Sequence, residues 1–463
     1  MDVPPTVPAD RKKVVGGRRA SPAHAAYAAL AASSLLTIVL EYFRGSTVVG
    51  FAPGWPVVQA TGAALAFYVV WRRQSSLRLA PLLGLGLAFH LAWIGVHLLG
   101  DVPSDFDSRV VYPDQGNALL DGDYPSSEYP PGAVLLFALA TLLGDGEARV
   151  SHAFLMVPFQ LLTVVAIWAL RTQWSAWFAA VVALWPLNAF FWEFKFDSAP
   201  TALLVVGLAL AWRERWAVAG MALGLGAAVK WSPALTAAAL TIWLVASGRR
   251  RDAWKLLGAA TAVFAAINAP FLVWSARDVL DAYVEQGQRG ITGESLFFIP
   301  LTLVGHAQLT GGIEDPAAVP GWANGAAITV QALAVLLAFV VAANVRRDLG
   351  AGVAVAAMVP VVFLLTNRVF SPQFLVLFVA AWALAGSLLS TSRRDQLLLS
   401  VLVVATTLAN VLVYPTAVPR WRTFSATMFL LAFSATAWVF VRALRTKLRR
   451  SDGRWSLSSG RGS

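Results

Sequence analysis

The sequence predicts an all-α, polytopic membrane protein with about 14 transmembrane helices. Three observations carry that prediction. Of 463 residues, 58% are hydrophobic and only 13% are charged, too few charges to solvate a soluble domain of this size. Apolar segments recur from end to end, many near the roughly 20 residues that a helix rising 1.5 Å per residue needs to cross a bilayer core. Lys and Arg gather in short clusters between those segments, where basic residues mark cytoplasmic ends.

In chain order, residues 1–22 form a basic cytoplasmic tail. Its RKKVVGGRR resembles the start of a signal peptide, but the apolar stretch behind it reaches Phe43 and is read as a retained helix. Helices at 23–43, 55–71 and 79–99 leave Arg72, Arg73 and Arg78 inside and the segment 100–132 outside. GAVLLFALATLLG, near 131–143, is too short for a full crossing and reads as a juxtamembrane or re-entrant helix. Counting it as a span would export every later arginine cluster. Crossings at 152–170, 175–190, 198–212, 216–230 and 234–247 then keep Arg171, Arg213, Arg215 and the run Arg249, Arg250, Arg251 inside. Those at 256–274, 322–344, 349–366, 373–389, 396–414 and 425–442 do the same for Arg346, Arg347, Arg393 and Arg394. A single membrane domain thus spans 23–445, with a long outer loop at 276–320 and a second basic cytoplasmic tail at 446–463. Both termini are expected in the cytoplasm and the chain in the plasma membrane as a multi-pass protein.

The net charge of +11 is a topology signal under this threading, and membrane lipids rather than nucleic acid are the expected partners. No Cys is present, which excludes disulfides and thiolate metal sites. His24, His90, His97, His152 and His306 are widely separated and read as stacked or solitary side chains. No metal or other cofactor is expected, although Asp105, Asp107 and Glu128 together could hold a hard cation through oxygens.

The chemistry gathers on the outer side. The stretch DVPSDFDSRVVYPDQGNALLDGDYPSSEYPPG, residues 101–132, holds seven of the 25 carboxylates. Asp105 and Asp107 follow the third helix closely, Tyr112 comes next, and Glu128 precedes the YPPG turn, where Pro130 and Pro131 bias Tyr129 toward extended backbone. On the same side lie Lys195 and Asp197 of WEFKFDS, Lys230 of AVKWSP, Arg289, and Arg368 and Gln373 of NRVFSPQ. Cations on the translocated face beside apolar helices suit a bound phosphate. Glycosyl transfer from a lipid phosphate needs a base for the acceptor hydroxyl, cations for the leaving phosphate and a groove for the tail, and a single in-line displacement inverts the anomeric centre.

At these residues the chain resembles the membrane-embedded GT-C glycosyltransferases, specifically family 87, which includes actinobacterial mannosyltransferases of phosphatidylinositol mannoside synthesis and arabinofuranosyltransferases. The resemblance covers roughly residues 79–415. It rests on Asp105 or Asp107 before VVY at 110–112, ALLDG at 118–122, Tyr124 and YPPG at 129–132; on FDSAPTALLVVGLAL from Phe196; on GLGAAVKWSPAL around Lys230; and on NRVFSPQFLV around Arg368. It implies a GT-C-like bundle with an extracytoplasmic catalytic loop. It also implies a polyprenyl-phosphate-linked sugar donor, mannose first, and a glycolipid or glycan acceptor. Lys230 and Arg368 would hold the phosphate. Tyr112, Glu128, Tyr129, Lys195, Asp197 and Gln373 would bind substrate or support the site. The family often spaces its Asp four residues before the tyrosine of VY, where this chain has Ser108, so Asp107 and Asp105 both stand as base, Asp107 first.

Two other readings compete: an arabinofuranosyltransferase of the same family, and a transporter or flippase of lipid-linked sugars. A transporter should carry ionisable residues near the middle of several spans, whereas here they collect at one end.

Overall fold

The computed structural model describes residues 77–99, 106–125, 128–144, 148–183, 189–346, 348–414 and 420–452. The tail 1–22, the expected crossings at 23–43 and 55–71, and Asp105 lie outside the described residues. Every regular element among the described residues is helical, apart from two isolated bridges, Thr292 with Pro316 and Gln308 with Ala318.

Helix α1 (Leu79–Leu99) is followed by a π-helical turn, Asp107–Val111, that runs into α2 (Tyr112–Leu120). Then come α3 (Pro131–Gly144), α4 (Ala148–Trp168), α5 (Ser175–Ala183), the short α6 (Ala189–Glu193), α7 (Ser198–Trp212), α8 (Trp216–Val229) and α9 (Ser232–Ala246). The chain continues through α10 (Arg250–Gln288), α11 (Phe298–Leu303), α12 (Gly321–Asn344), α13 (Leu349–Leu365), α14 (Leu375–Leu389), α15 (Arg393–Val413) and α16 (Trp421–Asp452). Among the described residues, six helices are long and apolar enough to cross a membrane: α4, α10, α12, α14 with its preceding turn, α15 and α16. Helices α1, α3, α7, α8, α9 and α13 contribute shorter apolar runs of 10–17 residues. A 15-residue helix rises only about 22 Å, short of the roughly 30 Å hydrocarbon core.

Two expectations need correction. The segment 100–132 is in good part helical: Pro113 pre-sets the first turn of α2, and Asp114 sits where the helix dipole favours an acid. The helix stops at Gly122, whose φ of 94° suits a residue without Cβ. The outer loop drawn from 276 begins instead as helix, because α10 continues to Gln288 past a break at Ser275 (φ −145°, ψ 73°), five residues after Pro270 removes a backbone donor. Of the crossing expected at 175–190, residues 175–183 and 189–190 are helical and residues 184–188 lie outside the described residues.

The core is built on α13 and α14, which are buried on almost every side. Helices α10 and α12 lie at the periphery and leave Trp254, Val273, Leu333 and Leu337 largely exposed, surface that only an apolar surrounding accommodates. Helix α8 lies close against α10 through Gly220 and Gly224. A Cβ at these positions would stand 2.1 Å from the Leu256 carbonyl oxygen and 2.3 Å from that of Ala260. This small-residue seam fixes α8 and so the place where Lys230 leaves it.

The alternation of the helices sorts the connections into two ends. One end holds the 169–175, 213–216, 247–250 and 390–395 links, tied by Trp212 Nε1 to the Leu170 carbonyl (3.2 Å), Trp174 Nε1 to that of Ser390 (3.1 Å) and Arg249 to Glu214 (2.6 Å). The other holds Asp107, the 192–198 link, Lys230, the 289–297 segment and the 366–373 turn.

Candidate functional site

At this second end the chain between α6 and α7 turns sharply, and its residues leave in different directions. The Glu193 carboxylate binds His90 Nδ1 of α1, with both side chains almost fully buried. Lys195 Nζ lies 2.5 Å from Asp107 Oδ2 at the start of the π-helical turn. Asp197 Oδ1 accepts from Lys230 Nζ at 2.6 Å. Ser198 Oγ closes the turn on the Trp192 carbonyl (2.8 Å). Five residues thereby join α1, the Asp107 turn and the end of α8.

Phe196, between the two ion pairs, faces an aromatic cluster. Tyr112 stacks on Phe137 (centroids 4.3 Å) and lies 5.0 Å from the His152 ring. Tyr129 meets Tyr112 edge-on at 5.8 Å and Phe196 at 5.5 Å. Lys230 Nζ stands 5.0 Å from the Phe196 centroid and 4.9 Å from that of Phe374, an apolar, π-lined setting for an ammonium. The YPPG turn meets this centre because Gly132 touches the end of α8, where a Cβ would come within 2.6 Å of the Ala228 carbonyl oxygen.

The remaining site residues surround this centre. Glu128 pairs with Arg289 (2.9 Å), so its carboxylate is turned to that guanidinium. The Arg368 guanidinium donates to the Gly287 carbonyl at the end of α10, while its own carbonyl accepts from Thr292 N (3.0 Å). Lys230 and Arg368 thus have separate protein partners, Asp197 for the first and the end of α10 for the second, and the Phe374 ring under Lys230 lies 5.6 Å from that of Phe370. Gln373 lies in the single 3-10 turn Pro372–Phe374, and its Oε1 is buried without a hydrogen-bond partner among the described residues, as are Asp197 Oδ2, Thr201 Oγ1 and both ring nitrogens of His152. Buried polar atoms of this kind are costly unless a ligand or water meets them. Among the described residues no three His, Asp or Glu side chains converge as a metal ion would require.

Reading the sequence alone missed the partner of His90 and the burial of Glu294, while the expected stacking of His152 is found. His90 is bonded to Glu193, not solitary. His152 does stack, but on Tyr112 and within the field of Lys195. Glu294, in the GITGESLF segment, is 3% exposed, and burial pushes its carboxyl up to about 8, with Glu314 adding to the shift and Lys195 opposing it. The signal for Glu294 was a lone acid in an otherwise neutral run of an outer segment.

Beside the aromatic cluster, an apolar cavity of about 480 Å³ opens between α3 and α4, lined by Leu143, Gly144, Val150, Phe154, Leu155 and Pro158 among others. Leu155 also packs on the Tyr112–Phe137 cluster.

The family model of glycosyltransferase family 87 matches residues 128–372, more than half of the chain. That span contains Glu128, Tyr129, Lys195, Asp197, Lys230, Glu294 and Arg368. Comparisons with curated proteins and with solved structures give no match.

Proposed function

The chain belongs to glycosyltransferase family 87, and from that premise we propose that it transfers a sugar, mannose first, from a polyprenyl-phosphate donor to a cell-envelope glycolipid or polysaccharide on the outer face of the plasma membrane. The observation that carries this reading is the Asp107–Lys195 pair at 2.5 Å, set beside a second buried pair and an aromatic wall at one end of the bundle.

Asp107, 29% exposed, is the base that removes the acceptor hydroxyl proton, and Lys195 holds its carboxylate in place. As the acceptor oxygen bonds to the anomeric carbon, the bond from that carbon to the phosphate oxygen breaks on the opposite face, and the configuration inverts. Lys230 meets the leaving phosphate, with Asp197 yielding the ammonium when the donor arrives, and Arg368 supplies the second charge from the neighbouring turn. Tyr129 offers a face to the sugar, with the buried Tyr112 and Phe196 packed behind it, and Gln373 and Asp197 Oδ2 offer hydrogen bonds. The cavity between α3 and α4 accepts an apolar chain beside them.

The threading belongs to the same proposal: about 14 crossings, both termini cytoplasmic and the Asp107 end outside. It is supported by the gathering of Arg171, Arg213, Arg215, Arg249, Arg393 and Arg394 at the opposite end. Asp105 remains the second candidate base.

The test is transfer from labelled polyprenyl-phosphate-mannose in membranes containing the wild type, Asp107→Ala or Asp105→Ala. Asp107→Ala should lose about 100-fold or more of the rate. Transfer at the parental rate by both variants would remove the base from this segment.

A further inference from the structure

The reaction described above uses neither His90 nor Glu193, yet the two are bonded across 103 residues of sequence and are each only 1% exposed. Around them lie the buried Phe89, Trp93, Phe191 and Trp192, with the His90 ring 5.6 Å from that of Trp192. His90 Nε2 and Glu193 Oε2 meet no hydrogen-bond partner among the described residues. A buried pair with two polar atoms left over is a poor source of stability, since apolar side chains of similar volume would serve as well or better. What it supplies is direction. Glu193 is the last residue of α6, a helix too short to hold its own orientation. Beyond it in the same turn Lys195 reaches Asp107 and Asp197 reaches Lys230, while Ser198 Oγ donates to the Trp192 carbonyl behind them. Packing of Phe190 and Phe191 on Tyr414, with centroids 6.1 and 6.3 Å apart, tolerates small rotations of this turn, whereas a hydrogen bond to α1 does not.

We propose that His90 and Glu193 are positioning residues of the transfer reaction: their bond anchors the start of the 193–198 turn to α1 and so sets the places of both Lys195, which holds the base, and Asp197, which holds Lys230. This deepens the reading of Asp107 as base and of Lys230 at the leaving phosphate, and rests on it. No bond of the substrate is made or broken at the pair. One strut serves two parts of the reaction, so its loss should lower kcat through Asp107 and raise the donor KM through Lys230 together. A pair that only supported the fold would instead reduce the amount of folded enzyme and leave the constants of the folded fraction alone.

The experiment measures kcat and donor KM per folded enzyme with labelled polyprenyl-phosphate-mannose, and the melting temperature, for the wild type, Glu193→Gln, the double variant His90→Leu with Glu193→Leu, and Asp107→Asn. The double variant removes the bond and strands no charge, so it should melt within about 4 °C of the wild type. It should lose about tenfold in kcat and raise the donor KM about fivefold. Glu193→Gln, whose amide can still bond His90 Nδ1, should recover most of that loss and stay within about threefold of the wild type in both constants. The inference is overturned if the folded double variant keeps both wild-type constants, or if it does not fold, since the pair would then serve the fold itself. It is also overturned if Glu193→Gln falls as far as the double variant. Wild-type transfer by Asp107→Asn would instead overturn the reading of the base.

Discussion

The two ends of the bundle both carry ion pairs, and they carry them differently. At the arginine end, Arg249 binds Asp252 three residues away and Glu214 35 residues away, with Glu214 and Lys255 more than half exposed at 53% and 62%. Such pairs contribute at most about 1 kcal/mol each and mark an aqueous boundary. At the Asp107 end, Lys195 and Asp197 are 9% and 5% exposed, and their partners lie 88 and 33 residues away in sequence. Withdrawing matched charges from water costs several kcal/mol per ion, which their mutual attraction only partly offsets. Two such pairs side by side against an aromatic wall support the proposal that the chemistry takes place there. The arginine end has one partly buried exception, Asp395 with Arg442, which also accepts from Thr391 and fastens α15 to α16.

That contrast can be broken by substitution. The largest effect is expected at Lys195: Lys195→Met should lower the transfer rate about 100-fold or more, because Asp107 loses its paired cation, and a rate within threefold of the wild type would disconnect the pair from catalysis. Next comes Lys230, where the single change would strand the Asp197 carboxylate. The neutral double variant Lys230→Gln with Asp197→Asn should fold normally and raise the donor KM about tenfold with a smaller change in kcat. An unchanged KM would take Lys230 out of the phosphate site. At the other end, Asp395→Asn should cost stability, about 1–3 kcal/mol, and leave kcat alone, which thermal unfolding and transfer assays on the same preparation would separate.

A separate effect is a pH dependence of stability. The native state holds the Glu294 proton that an unfolded chain releases near 4.5, so stability should fall as pH rises from about 4.5 to about 8 and then level off. Glu294→Gln should flatten this part of the melting curve.

Much of the architecture was legible in the sequence because apolar runs and arginine clusters are one-dimensional signals. The boundaries of α7, α8, α9, α12 and α13 fall within a few residues of the expected crossings. The expected crossing 256–274 stops one residue before the break at Ser275, but the helix that resumes beyond it to Gln288 was not legible. The partners of Lys195 and Lys230 were hidden for a related reason. WEFKFDS displays its charges in alternation, but which element each one reaches depends on the rotation of three helices about their axes, and that is set by packing such as the Gly220–Gly224 seam. The helix inside the acidic segment was masked by Asp and Gly, which lower helix propensity, although Pro113 and ALL at 118–120 marked it.

The most direct test compares the two ends in one assay. Initial rates of mannose transfer from labelled polyprenyl-phosphate-mannose should be measured in matched membranes containing the wild type, Asp107→Asn or Arg249→Gln. The expected result is a loss of about 100-fold or more in Asp107→Asn and a rate within about twofold of the wild type in Arg249→Gln. Equal rates for the two variants would contradict the assignment of catalysis to the Asp107 end.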